Sequence, residues 1–270
     1  FDGTTGLQVE EGLFPVSNPD VIAAGGAPLT EETALNFSAG FTADIGDFVS
    51  LTADVYKIEV DDRIYRTGNI PVPLLPTDPP GTPERSISFY TNALDVEHEG
   101  IDIVATSSFD VGSASSLDLA LAYAYNTVSV TGQKLVSGIQ PVGDDLVEDI
   151  ENNYPEHRWT LTGNWLIGEQ FNVMGRINFY GEHYDERGRI GAATDPSAQI
   201  DSTYYVDLEA GWQFNENLRV VLGGSNIFDE YIDEIGPPNA NRLSVGLQYP
   251  RRTVANYEGG SWYLKGIYSW

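Results

Sequence analysis

Residues 204–214 read YYVDLEAGWQF, and their parity decides the fold. In an extended chain Tyr204, Val206, Leu208, Ala210, Trp212 and Phe214 point to one side, while Asp207, Glu209 and Gln213 point to the other. A run of this length matches the ~9–11 residues that a tilted strand needs to cross a bilayer. It is about twice the ~5–6 residues of an ordinary strand.

The same period recurs along the chain. Leu35, Phe37, Ala39 and Phe41 alternate with Asn36, Ser38 and Thr42; Val49, Leu51, Ala53 and Val55 alternate with Ser50, Thr52 and Asp54. Leu117, Leu119, Leu121, Tyr123 and Tyr125 oppose Asp118, three alanines and Asn126. Trp159, Leu161, Trp165 and Ile167 oppose Thr160, Thr162 and Asn164, and Phe171, Val173, Ile177 and Phe179 oppose Asn172, Arg176, Asn178 and Tyr180. Further strands are expected at about 86–109, 218–228 and 261–270, making about nine, with no long amphipathic helix. Connections alternate: short at 44–47, 110–116, 168–169 and 215–217, long near 67–85, 131–157, 185–202 and 229–260. Tight turns at one end and long loops at the other are the asymmetry of outer-membrane barrels. A soluble sandwich also alternates, but its outer face tolerates heavy charge, whereas the polar parity here is mostly Ser, Thr, Asn and Ala. The fold class expected is an all-β, antiparallel transmembrane barrel segment.

Composition limits the function. Forty acids against fourteen bases give a formal charge of -26, which repels nucleic acid phosphates. Without cysteine there is no disulfide, thiolate metal site or cysteine nucleophile. No apolar run approaches the ~18 residues of a membrane helix, which leaves strand crossings open. The chain opens on Phe1, and is expected to be a piece of a longer protein.

Four segments, in order, resemble the TonB-dependent outer-membrane receptors. LTADVYKIEVDDRIYRTGNI (51–70) is similar to their Tyr-x-Ile-x-x-x-Asp-Arg-Ile strand, and FYTNALDVEHEGIDIVATSSF (89–109) carries their Thr-Asn-Ala and Gly-Ile-Asp elements. RVVLGGSNIFDEY (219–231) resembles the Asn-x-Phe-Asp segment before the last loop, and GGSWYLKGIYSW (259–270) the closing strand. The resemblance implies a 22-stranded barrel of which this chain would supply the C-terminal strands. By that comparison residues 1–28 are the remnant of an extracellular loop, and 29–270 carry barrel strands and long extracellular loops. It also implies a Gram-negative outer-membrane location, a plug domain lying elsewhere in the full protein, and energy supplied through TonB. The function implied is active uptake of a scarce small ligand, such as a ferric siderophore or a glycan, without covalent chemistry or a cofactor. The alternatives are a small self-contained barrel (pore, adhesin or enzyme) and a soluble carbohydrate-binding sandwich. RLSVGLQY (242–249) is read as a hairpin inside the last loop, because a tenth crossing there would spoil the alternation of loop lengths.

Ligand contacts are expected from the loops: Arg66, Asn69, Tyr154, His157, Tyr184, Arg187, Arg189 and Tyr231. Arginine suits anionic chelates, and aromatic faces suit sugar rings or apolar ligands. His98, His157 and His183 lack metal-ligand spacing, so no metal site is expected. The acidic loop VGDDLVEDIENN (142–153), with its acids at 144–151, is read as a solvated loop with calcium left open. No nucleophile elbow, phosphate loop or dinucleotide fingerprint is present, so no enzyme is expected. Trp262, Leu264, Tyr268 and Trp270 share a parity that puts them toward outer-membrane lipid. The resemblance reads these four as the signal handed to the barrel-assembly machinery, with Gly266 interrupting its apolar pattern.

Overall fold

The computed structural model describes residues 9–72, 84–112, 114–185, 189–193, 196–234, 246, 248–250, 253 and 257–270. In chain order the elements are β1 (Val9–Leu13), α1 (Pro19–Ala23), β2 (Thr33–Ile45), β3 (Val49–Arg66), β4 (Ile70–Val72) and β5 (Glu84–Ser88). They continue with β6 (Tyr90–Asp110), β7 (Ser116–Gln133), α2 (Asp144–Asn152), β8 (His157–Ile167), β9 (Phe171–Tyr180) and β10 (His183–Tyr184). The last are β11 (Gln199–Ile200), β12 (Thr203–Gln213), β13 (Leu218–Ser225) and β14 (Ser261–Tyr268). Among the described residues nine of these strands form one sheet in the order β14-β13-β12-β9-β8-β7-β6-β3-β2. Every neighbour in it is the next sheet strand in the chain, and the printed pairings within it are antiparallel. The chain divides into two compact units: residues 1–36, 58–98 and 128–151, and residues 37–57, 99–127 and 152–270.

In the second unit, register turns the alternating sequence into two faces. One row runs Leu117–Trp165–Val173–Ala210–Leu222–Leu264 across six strands. Two aromatic rows lie parallel to it. The first is Tyr123–Trp159–Phe179–Tyr204, with the Trp159 and Phe179 rings stacked at 5.3 Å. The second contains Phe171 and Trp212, stacked at 6.1 Å, with Phe214 edge-on to Trp212. Along β12 the rows stand eight residues apart, from Tyr204 to Trp212. At about 3.3 Å per residue that is ~26 Å along the strand, or about 20 Å after a ~40° tilt, close to the ~25 Å band between aromatic girdles. Trp165, Leu208, Trp212, Leu222 and Leu264 are all more than a third exposed, which in water would be a large apolar patch and in a bilayer is a solvated surface.

The opposite face is polar and tied together. Arg176 Nε donates to Thr162 Oγ1 (3.3 Å), Thr160 Oγ1 to Asn178 Oδ1 (3.2 Å) and Asn178 Nδ2 to Asp207 Oδ2 (3.3 Å). Further along, Tyr263 donates to Glu209 (2.5 Å), whose carboxylate also faces Lys265 Nζ at 3.8 Å. Cross-strand side-chain bonds of this kind fix register on a face that no apolar core holds. Gly100, in the Gly-Ile-Asp element, is there because the Tyr56 phenol lies against it: a Cβ would collide with its Cζ and hydroxyl oxygen. Tyr56 is held in place by Asn126 Nδ2, which donates to its hydroxyl at 2.6 Å.

The first unit has apolar cores of its own. β1 pairs in parallel with β5, and β5 antiparallel with β4. Val21 of α1, Ile70, Ile87, Phe89 and Val136 form one buried cluster. The single strand expected at 86–109 is divided at the buried Phe89 into β5 and β6. Ala93, Leu94, Val96 and Val142 form a second cluster, against which Leu146, Val147 and Ile150 of α2 pack. The acidic stretch read as a solvated loop is therefore a helix. Asp144 and Asp145 suit its first turn, where acids meet the positive end of the helix dipole. Its three apolar residues lie on one face. Glu151 closes it by accepting from Val130 N at 2.8 Å.

The segments carrying the resemblance are stress points in this framework. Asp62 takes φ 58° in the middle of β3 and is held by three partners. Its N–H donates to Asp95 Oδ1 (3.1 Å), its carbonyl accepts from Asn92 Nδ2 (2.7 Å), and its carboxylate pairs with Lys134. Asn92, from the Thr-Asn-Ala element, also accepts from Thr30 N (2.8 Å) and donates to Thr30 O (3.0 Å), so its amide replaces a strand neighbour. Aspartate tolerates the left-handed region better than a branched residue, which is why Asp-Arg-Ile follows at that step.

Candidate functional site

Two of the long connections lie wholly in the second unit, 181–202 and 226–260, and the last residues of 134–156 also belong to it. The connection after β13 begins with a clasp. Asn226 (φ 50°) donates its N–H to Asp207 Oδ1 on the polar face at 2.9 Å. Its side chain bridges forward, accepting from Glu230 N (3.0 Å) and donating to Glu230 O (2.8 Å). Asp229 (φ 55°) then accepts from Gly260 N at 2.7 Å, so both ends of the connection meet at its base. These are the Asn and Asp of the Asn-x-Phe-Asp segment, and both side chains act on backbone groups.

Above the clasp three tyrosines stack. Tyr231 and Tyr249 have ring centroids 6.2 Å apart and planes 12° apart; Tyr249 and Tyr257 are 5.9 Å and 15° apart. Tyr249 packs on a buried cluster of Ile200, Tyr205 and Ile232, joined by Tyr180. Tyr231 hydrogen-bonds Asp229, which, with that carboxylate's charge, raises the phenol's pKa above the usual 10.0. Gly259 (φ 74°) passes close beneath the Tyr231 hydroxyl, where a side chain has no room.

The connection after β9 is anchored by His183 and Asp185, both buried. His183 Nδ1 lies 3.1 Å from Gly181 O and Nε2 3.4 Å from Thr253 Oγ1. Burial lowers its pKa below 6.5, against the opposing pull of the Gly181 carbonyl and Asp185. Tyr184 donates to Glu182 at 3.3 Å, and burial first, then that carboxylate, raises its pKa.

The expected contact residues are distributed as follows. Arg66 and Asn69 are exposed in the first unit, Arg66 Nε donating to Ser88 Oγ at 3.1 Å. Tyr154 is exposed in the second unit. Arg189 is exposed and forms an isolated bridge with Pro196. Tyr231 belongs to the tyrosine stack. Arg187 and most of the hairpin expected at 242–249 lie outside the described residues, as do residues 1–8. His157 opens β8 opposite Tyr125, on the face of Trp159. Its Nδ1 lies 2.8 Å from the Tyr123 hydroxyl and its ring 4.9 Å from that of Tyr125, so it extends an aromatic row. Parity with Trp159 already pointed there. Tyr249 and Tyr257 were missed, since only the fold brings them onto Tyr231.

The sequence profile of the family described as TonB dependent receptor-like, beta-barrel, matches residues 3–227. This chain belongs to that family. Its members are outer-membrane proteins of Gram-negative bacteria, receptors and transporters and not enzymes. The nine-stranded sheet is a segment of such a barrel, with the aromatic face toward lipid and the polar face toward the lumen. No curated protein matches the chain. Among solved structures it is similar to the outer-membrane transporter YddB of Escherichia coli, at 12% identity and TM-score 0.58, covering 89% of this chain and 33% of that one. It is similar to the siderophore receptor PirA of Acinetobacter baumannii at 15% identity and TM-score 0.58, covering 90% and 32%. It also resembles the ferripyoverdine receptor of the Pseudomonas aeruginosa outer membrane, solved with ferripyoverdine bound, at 12% identity and TM-score 0.56, covering 90% and 28%. At these identities the likeness is one of fold, and the chain spans about a third of each structure's length.

Proposed function

We propose that this chain forms part of the barrel wall and the extracellular loops of a TonB-driven importer of a small ligand. What supports the reading most is the sheet's pair of faces, within a family match that covers most of the chain. A lumen lined by Arg176, Asn178, Asp207 and Glu209 offers hydrogen-bonding groups to a polar solute. Capture is assigned to the long connections, with Arg66, Asn69, Tyr154, Tyr184, Arg187, Arg189 and Tyr231 as contacts, and His157 at the rim. Release inward is assigned to plug movement driven through TonB in the full-length receptor. Trp262, Leu264 and Tyr268, all strongly exposed on one face of β14, with Trp270 fully exposed beyond it, are assigned to recognition by the barrel-assembly machinery. The test is accumulation of radiolabelled ligands by cells carrying the full-length receptor, with and without TonB and with the proton gradient collapsed. Uptake that persists without TonB refutes the reading and favours a passive pore.

A further inference from the structure

We propose that the Tyr231–Tyr249–Tyr257 stack is a binding platform for a neutral saccharide ring. The proposal rests on the import reading above and names the ligand class of that site. Three observations carry it. First, the stack is open where a ligand would meet it: Tyr231 is 42% and Tyr257 52% exposed, while Tyr249 between them is set against Ile200, Tyr205 and Ile232. Aromatic rings that only fill a core do not leave both ends of a stack in solvent.

Second, the Tyr231 end of the stack is fixed in advance. Asp229 holds the Tyr231 hydroxyl and Gly260 N, Asn226 holds both backbone groups of Glu230, and Gly259 fits beneath the phenol. A platform ordered before binding loses little conformational entropy on binding. Tyr205 and Tyr180 lie on the lumenal face, so the stack is anchored to the wall along which a solute would pass.

Third, the chemistry around it suits hydroxyl groups better than anions. Among the described residues of 226–260 the charged side chains are Asp229, Glu230, Asp233, Glu234 and Glu258, all acidic. Arg242, Arg251 and Arg252 lie outside the described residues, and counting them still leaves five acids to three bases in that stretch. Carboxylates accept charge-assisted hydrogen bonds from sugar hydroxyls. The negative ring faces attract the weakly positive C–H face of a pyranose and repel an anionic chelate.

The test uses the purified full-length receptor, titrated with maltohexaose, cellohexaose and mannohexaose and, separately, with ferric tris-catecholate. We expect at least one hexasaccharide to bind. Tyr231→Ala and Tyr257→Ala should each weaken it about tenfold or more, and Tyr257→Phe should stay near the parent, as loss or retention of one stacking face implies. Tyr257→Ala removes only an exposed ring, and unchanged thermal melting verifies that its barrel is intact. No saccharide binding, or binding indifferent to both alanine variants, overturns the proposal. TonB-dependent uptake of ferric tris-catecholate with no saccharide binding overturns it while leaving the import reading in place. Saccharide binding that depends on both tyrosines supports it, even if cells show no TonB-dependent uptake and the import reading fails.

Discussion

Replacing Gly100 with alanine should destabilise the barrel by about 1–3 kcal/mol, through a residue 44 positions away in the chain. The new Cβ would collide with the Cζ and hydroxyl end of Tyr56, so that ring must shift off the strand surface. Its departure breaks the 2.6 Å bond from Asn126 Nδ2, worth about 1 kcal/mol net. Misfit at a packed position adds about 1–3 kcal/mol, and the lower chain entropy of alanine returns about 0.4–1 kcal/mol. The assay is equilibrium urea unfolding of the full-length receptor in lipid vesicles, run as a double-mutant cycle with Tyr56→Ala. With the ring removed, Gly100→Ala should be neutral or slightly stabilising, giving a coupling of more than about 1 kcal/mol. If Gly100→Ala costs nothing, or costs the same with and without Tyr56, the reasoning fails.

Other outcomes follow from the same structure. Asn92→Ala removes both bonds to Thr30 and the one to Asp62 O, and should cost about 1–2 kcal/mol, the groups being partly reachable by water; faster proteolysis before β2 is the readout, and unchanged cleavage counts against the clamp. His183 is kept neutral by burial, so the unfolded chain takes up its proton first as pH falls through about 6.5. The connection 181–202 should therefore be at full stability above about pH 6.5 and open progressively below it, seen as faster amide exchange at 181–185. His183→Gln should flatten that profile, and a slope that survives the substitution removes His183 as its source. Trp270→Asp should lower surface display of the full-length receptor several-fold, because a carboxylate replaces the most exposed aromatic on the lipid side; undiminished display excludes Trp270 from the assembly signal.

How much could be read beforehand depended on local period. The nine sheet strands were legible because every second side chain meets lipid, and runs such as 204–214 show it without reference to partners. The connections followed no such rule. α2 was hidden because its apolar face is only Leu146, Val147 and Ile150 among five acids between 144 and 151, too few to outweigh the look of a solvated loop. The small sheet of β1, β4 and β5 was hidden because its strands have only three to five residues and the β1–β5 pairing joins residues 75 positions apart. Of the contact residues, His157 opens β8 on the parity of Trp159, a placement that the alternation of that strand makes legible. The partners of Tyr231 could not be read, since nothing in the spacing of Tyr249 and Tyr257 brings them to it.

The order of the sheet also bears on the time course of folding. Because each strand pairs with its successor, the sheet can form without any segment passing under another, and the cost of each step is set by the loop it closes. Closing residues 168–170 between β8 and β9 is cheap, whereas closing 226–260 between β13 and β14 costs about 2 kcal/mol more in chain entropy. The four short-turn hairpins should therefore assemble early, leaving β14 to arrive through the longest closure of all. Asn226 and Asp229 fold the start of that closure back on itself, and the bond from Gly260 to Asp229 joins its two ends within one turn of β13. A contact that serves as a clasp in the finished wall would act during folding as the latch that sets when β14 is captured.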